Sequence, residues 1–160
     1  MPYPIERYWI QFLRSLPPEA EHPTCYYEAF SFGMDADDAR QIGALVLQGT
    51  KTATGALLWS FEADGKTPPR VGDFSIVTDG DKMPLCIIQT TQVRVMPFDE
   101  VDAEFAHDGG ERDRTLASWR EIYWNYILSE CARIGREPSP KTPLVCERFK
   151  VVYREPPDAE

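Results

Sequence analysis

Fourteen prolines stand among 160 residues, well above the usual ~5%, and nine of them are gathered at Pro17-Pro18, Pro68-Pro69, Pro138 to Pro143 and Pro156-Pro157. Proline fixes φ and offers no N–H, so it is expelled from helix interiors and central strands. Clusters of this kind punctuate a chain into short elements joined by loops. The segments between them are therefore read one at a time.

From Pro4 to Leu16 the apolar residues Ile5, Trp9, Leu13 and Leu16 recur at helical spacing, and Pro17 stops the pattern. An aromatic loop through Tyr26, Tyr27, Phe30 and Phe32 leads to a second helix. Asp35 or Asp37 caps it, Ile42, Leu45 and Val46 form its apolar side, and Gly49 ends it. Lys51 to Trp59 then passes from turn chemistry into β-branched and apolar residues, which predicts a strand from about Thr54. Phe74 to Val77 is a second strand, closed by the hairpin signal Asp79-Gly80, and a third runs from Leu85 to about Val95. Its odd-numbered face carries Leu85, Ile87, Val93 and Val95, with Gln89 and Thr91 as polar positions that would line a wet interior. Thr115 caps a helix whose stripe of Leu116, Trp119, Tyr123, Tyr126, Ile127 and Ile134 reaches Gly135. The last strand, Leu144 to Tyr153, sets Val145, Glu147, Phe149, Val151 and Tyr153 against Arg148, Lys150 and Arg154. Strands and helices that do not alternate one for one disfavour a doubly wound sheet. The expectation is an α+β fold, a small curved sheet or barrel with flanking helices.

Composition bounds the function. The formal charge of −9 argues against indiscriminate polyanion binding, which needs a positive surface. No apolar run approaches the ~18 residues of a membrane span, and the N-terminus has no signal-peptide pattern. An intracellular, cytoplasmic chain without a membrane partner is expected. Cys25, Cys86, Cys131 and Cys146 have no C-x-x-C spacing, and with only His22 and His107 they make no zinc signature; reduced, mostly buried thiols are expected. Phosphate-loop, dinucleotide, nucleophile-elbow and H-E-x-x-H motifs are all missing.

What remains is Lys51, Thr52 and Thr54, just after a helix-ending glycine. Residues three apart on a regular strand face opposite ways, so Lys51 and Thr54 cooperate only if the backbone turns between them; Gly49 and Gly55 permit that. A poorly hydrated Lys51 amine could take the proton of the Thr54 hydroxyl and make it a nucleophile. The structural alternative is a lysine complementing a helix C-terminus and an ordinary strand threonine. Carboxylates to orient the lysine are Glu111, Glu104 and Asp108, in a stretch from Asp99 to Asp113 with seven acids and one arginine, or Glu147 on the last strand. Asp108, Glu111 and Asp113 could hold Mg²⁺ through oxygen ligands, but no obligatory metal is expected. Between Arg133 and Arg154 six basic residues face two acids, an asymmetry that could seat a phosphate backbone, and Trp59 or Tyr27 could stack on unpaired bases.

The blocks Phe32-Gly33, Leu45 to Thr54, Leu58-Trp59, Val71-Gly72-Asp73, Pro97-Phe98, Asp113 to Trp119 and Cys146-Glu147-Arg148-Phe149 resemble, in this order, the longer bacterial branch of the ASCH domain family. The resemblance spans roughly Ala29 to Tyr153. It implies a PUA-like β-barrel with flanking helices and a cleft across the barrel mouth, a fold associated with RNA binding. Residues 1–28 would be a helix and loop packed on the domain, 29–154 the ASCH domain and 155–160 a tail. Family members are ribonucleases, amidohydrolases of N4-acylated cytidine, or RNA-binding modules. Carried over residue by residue, Lys51 matches the lysine that activates a threonine, Thr54 matches that nucleophile, and Glu111 is the nearest match to the third member, a glutamate. Where the branch often carries Glu-Gly, this chain has Gly109-Gly110. The resulting expectation is an RNA-binding hydrolase acting first on single-stranded RNA. The alternatives are deacylation of a modified nucleoside by Thr54 and noncatalytic RNA binding. Thr52, Trp59, Gln89, Thr91, Glu147 and Arg148 would contact substrate, with no cofactor.

Overall fold

The computed structural model describes residues 4–154. In chain order the elements are α1 (Pro4–Ser15), β1 (Glu28–Phe30), α2 (Ala36–Leu47), β2 (Ala53–Leu57), α3 (Leu58–Ala63), β3 (Phe74–Thr78), β4 (Pro84–Pro97), α4 (Ala103–Gly109), α5 (Leu116–Ile134) and β5 (Pro143–Tyr153). A 3₁₀ turn at Phe98–Glu100 precedes α4. The sheet is mixed. Its hydrogen-bonded order is β1-β3-β4-β5-β2, with β1 parallel to β3, while β3–β4 and β2–β5 are antiparallel. The expected tail, 155–160, lies outside the described residues.

The chain forms two compact units. One joins the segment through Gly49 to Gly72–Gln89 and the chain from Lys150; the other joins Thr50–Val71 to Thr90–Phe149. In the first, α1 presents Tyr8, Trp9 and Phe12 to Ile76 and Ile87, with Phe74 and Tyr153 packed against them. The aromatic rings meet edge-on or tilted, as at Phe12–Phe74, 5.3 Å apart, the arrangement their quadrupoles favour. Asp35 caps α2 by accepting the Asp38 amide hydrogen. In the second unit, α5 lays Trp119, Tyr123, Ile127 and Cys131 over Ala53, Leu57, Leu144 and Cys146, closed at one end by Phe98, Phe105 and Ala106. Thr115 caps α5 through the Ser118 amide, and Gly135 ends it in the left-handed conformation, the boundaries that its pattern predicts.

Three local expectations are corrected. Leu58 and Trp59 belong to α3, because β2 ends at Leu57 and the chain turns into a helix there. β1 lies within the segment expected to be an aromatic loop; three residues are too short for a periodic signal. On β4 the odd-numbered face is not continuous. Cys86, Ile87 and Ile88 are all buried, while Thr91 and Val95 are exposed and Thr90, on the even side, is 2% exposed. Where a sheet is covered on both faces, alternation carries no signal of which face is inside. No helix among the described residues is long and apolar enough to cross a membrane. The four cysteines are free thiols, three of them buried. Burial pushes the Cys86 and Cys146 thiols up to about 12, which leaves them inert at neutral pH.

Candidate functional site

The site lies within the second unit, where the chain enters β2 from Thr50. Lys51 is 1% exposed. Its Nζ donates to the Gly109 carbonyl at 3.1 Å and to Glu111 Oε2 at 3.1 Å. A lysine so deep in a protein requires charge compensation, and Glu111 supplies it from the loop after α4. Lys51 and Glu111, singled out in the sequence 60 positions apart, thus stand together.

Backbone contacts hold them in register. The Thr52 amide donates to the Asp108 carbonyl at 2.8 Å, and the Thr52 carbonyl accepts from the Phe149 amide at 3.0 Å. The loop after α4 presses so closely on the β2 entry that a Cβ on Gly110 would lie 2.7 Å from the Thr50 carbonyl oxygen and 2.9 Å from Lys51 N and Cα. Only glycine fits that approach, and its φ of +74° suits glycine as well.

Thr54 occupies β2 directly opposite Glu147 of β5. Opposed residues on antiparallel strands project to the same face, with Cβ atoms ~5 Å apart. Glu147 Oε2 accepts from Thr90 Oγ1 at 2.6 Å. Thr54, Glu147 and Thr90 therefore form one polar group on a sheet face whose neighbours, Val145 and Phe149, are buried. Thr54 Oγ1 also lies 3.5 Å from the Tyr123 hydroxyl, which accepts the Gly55 amide hydrogen at 3.1 Å. The Tyr126 hydroxyl accepts the Leu57 amide hydrogen at 2.9 Å. Two tyrosines of α5 thereby satisfy amide groups of β2 at the end of the sheet order, groups that would otherwise be orphaned or open to a foreign strand. Burial pushes the Tyr126 phenol up to about 12.

The remaining expected contact residues are dispersed. Trp59, on α3, packs with the Arg136 guanidinium 3.9 Å above its ring. Gln89 belongs to the first unit, where its Nε2 donates to Gly72 O at 3.4 Å. Thr91 is exposed. Arg148 lies 5.3 Å from the centre of the Phe105 ring and donates to Asp108, which draws that carboxyl below its ordinary value. The basic segment is similarly engaged: Arg133 pairs with Asp64 and Glu130, and Lys141 with Asp99. Asp108, Glu111 and Asp113 do not converge. Asp113 accepts from Thr115, the main reason its carboxyl falls to about 2, and among the described residues no group of three potential ligands is gathered for a metal.

Thr90, Gly110, Arg114 and Tyr123 are the parts that sequence reasoning missed. Tyr123 was visible as a member of the α5 stripe, but a stripe says nothing of where a phenol ends.

Comparison with known proteins supplies the context for this geometry. The family model described as ASCH domain matches residues 28–153. The crystal structure of an ASCH domain from Lactobacillus crispatus JV V101 is similar at 33% identity, covering 96% of this chain and 97% of that one, with a TM-score of 0.90. Protein EF3133 from Enterococcus faecalis V583 is similar at 31% identity over 93% and 88% of the two chains, with a TM-score of 0.82. The hypothetical protein PH0355, at 15% identity over 78% and 98% and a TM-score of 0.51, shares the fold alone. No curated protein matches the chain. With its PUA-like α+β fold and a match spanning most of its length, the chain belongs to the ASCH domain family.

Proposed function

We propose that this protein is a hydrolase of acylated cytosine nucleosides, with Thr54 as nucleophile and the Lys51–Glu111 pair handling its proton. ASCH domains in general bind RNA, so a base-containing substrate is in keeping with the family. The observation that carries the reading is the burial of the Lys51 amine against Glu111 and the Gly109 carbonyl, just ahead of the strand that holds Thr54. A fully exposed lysine would have sufficed to hold a phosphate.

The chemistry follows from what each group can exchange. Lys51 passes a proton to Glu111 and, as a free amine, accepts the proton of the Thr54 hydroxyl. The hydroxyl oxygen attacks the acyl carbon, and the amide C–N bond breaks as the leaving amine takes up the proton that Lys51 received from Thr54. Water then hydrolyses the threonyl ester, releasing the acid. Glu147, opposite Thr54 and steadied by Thr90, is the carboxylate on Thr54's face of the sheet and would contact substrate.

One chemical argument and two observations weigh against the ribonuclease form of the expectation. RNA cleavage needs no threonine nucleophile when the ribose 2′-hydroxyl is available. The net charge of −9 repels a polyanion but not a neutral nucleoside. Arg133, Lys141 and Arg148 are engaged with acids of the same chain.

The test is incubation with N4-acetylcytidine and chromatography of the product. Cytidine should appear with the wild type and vanish with Thr54→Ala and Lys51→Ala. Absence of cytidine at high enzyme concentration would defeat the proposal, and cleavage of single-stranded RNA by wild type but not Lys51→Ala would return the ribonuclease reading.

A further inference from the structure

The loop that carries Glu111 has three left-handed residues at alternate positions: Gly110 at φ +74°, Arg112 at +53° and Arg114 at +66°. Glycine takes this conformation freely, whereas for an ordinary L-residue it costs about 1–2 kcal/mol. A turn needing only that backbone would use Gly or Asn. Arg114 must therefore contribute something through its side chain.

That contribution is visible. Arg114 Nε donates to the His107 carbonyl at 2.8 Å, and Nη2 donates to the Thr50 carbonyl at 3.3 Å and lies 3.3 Å from His107 Nδ1. Its backbone amide donates to the Glu111 carbonyl at 3.0 Å. Thr50 is the residue before Lys51. His107 sits in the last turn of α4, two residues before the carbonyl that accepts from Lys51. One guanidinium thus ties the segment delivering the amine to the segment delivering both of its acceptors, and the planar fork of Arg is suited to two carbonyls at once where Lys offers a point charge.

We infer that Arg114 is a positioning residue: it latches the 110–114 loop onto the entry of β2 and so sets the geometry of Glu111 against Lys51. Its catalytic consequence rests on the function proposed above, whereas the latch itself is a property of the folded chain and can be tested without turnover.

The informative variant is Arg114→Gly in the full chain, because it removes the guanidinium while relieving the left-handed backbone. A turn residue of purely structural value predicts a melting temperature unchanged or raised and an unaltered Lys51. A latch predicts that Lys51 becomes accessible. Acetic anhydride labelling read by mass spectrometry should modify Lys51 at least about tenfold faster in Arg114→Gly than in the wild type, as expected when two hydrogen bonds closing a loop are lost, with Arg114→Lys between them. On N4-acetylcytidine, kcat should fall about tenfold or more with KM little changed, since small misplacements of reacting groups cost rate, and millimolar guanidinium should restore part of it. Equal labelling of Lys51 in the wild type and Arg114→Gly overturns the latch, whatever the activity. If Arg114→Gly fails to fold, labelling of Arg114→Lys no faster than wild type overturns it equally. A wild type that labels slowly but never releases cytidine defeats the proposed function and leaves the labelling comparison to decide the latch.

Discussion

Adjacent glycines at 109 and 110 make opposite predictions, and the difference can be worked from the structure. Gly110→Ala forces a Cβ to within 2.7 Å of the Thr50 carbonyl oxygen and 2.9 Å of Lys51 N and Cα. Those are backbone atoms held by the Thr52 bonds to Asp108 and Phe149, so relief requires moving the loop off the β2 entry. The left-handed backbone adds about 1–2 kcal/mol, and overpacking of this kind typically adds about 1–3 kcal/mol. For a chain of this size each kcal/mol is about 2–4 °C, so a total of about 2–5 kcal/mol gives a loss of roughly 4–20 °C. Two controls separate the contributions. Gly49, at φ +78°, has nothing within 4 Å of a built Cβ, so Gly49→Ala should show the conformational cost alone. Gly109→Ala should be neutral or stabilising. Its φ is not in the left-handed region, its Cβ would make ordinary contact at 3.4 Å with Trp119 Cδ1, and α4 gains up to about 1 kcal/mol of helix propensity. Thermal and urea denaturation of the three variants reads all of this. If Gly110→Ala loses no more stability than Gly49→Ala, the close approach of loop and strand entry is not what fixes Gly110.

Three further outcomes follow from individual contacts. Tyr123→Phe leaves the Gly55 amide without its acceptor and should cost about 1–3 kcal/mol in urea denaturation; a cost below about 0.5 kcal/mol, the error of such comparisons, would show that water replaces the phenol. Thr90→Val withdraws the donor at 2.6 Å from Glu147, a hydrogen bond to a charged group worth about 1.5–3 kcal/mol, and should also lower activity on N4-acetylcytidine. Asp108, drawn below its ordinary value chiefly by the Arg148 hydrogen bond, gives a pH signature. A depressed folded-state value means its contribution is complete above the ordinary carboxylate range, about pH 4, and is lost as pH falls through the folded value. Stability measured from neutral pH downward should therefore drop less steeply in Asp108→Asn than in the wild type; parallel curves would remove Asp108 from the acid transition.

Both ends of α5 were legible because capping is local chemistry: Thr115 and Gly135 state the boundaries within a few residues of the chain. The pairing of β2 with β5 and the placement of Glu147 opposite Thr54 were not, since register is set by partners far away in the chain. Lys51, Thr54 and Glu111 were named from residue type and family resemblance, and the structure joins the first to the third. Arg148 and Trp59 illustrate the limit. A basic or aromatic residue in a sequence carries no mark of whether its charge or ring face is engaged within the fold, and here Asp108 and Arg136 engage them. Thr90 and Thr91 differ only in which side of β4 is covered, which follows from what packs on the strand and not from the strand itself.

The Lys51–Glu111 pair allows a last argument about why a chain keeps a charge so deeply buried. Desolvating an ammonium costs several kcal/mol, and its attraction to a carboxylate often does no more than offset that cost, so such pairs are weak contributors to stability. Removing one partner is different. Glu111→Gln leaves the 1% exposed amine without that compensating charge, and should destabilise the protein by about 1–3 kcal/mol. If that loss arises from the pair, it must vanish once the amine is gone: Glu111→Gln should cost little in a Lys51→Met background, where an apolar stem of similar length fills the same space. The cycle of four proteins, measured by urea denaturation, gives the coupling directly. Equal costs in both backgrounds would mean that Glu111 acts on some other group, and the Lys51-centred chemistry would fall with it. A coupling of about 1–3 kcal/mol, together with a Lys51→Met single variant as stable as the wild type but unable to release cytidine, would show that the lysine is retained for a reaction and not for the fold.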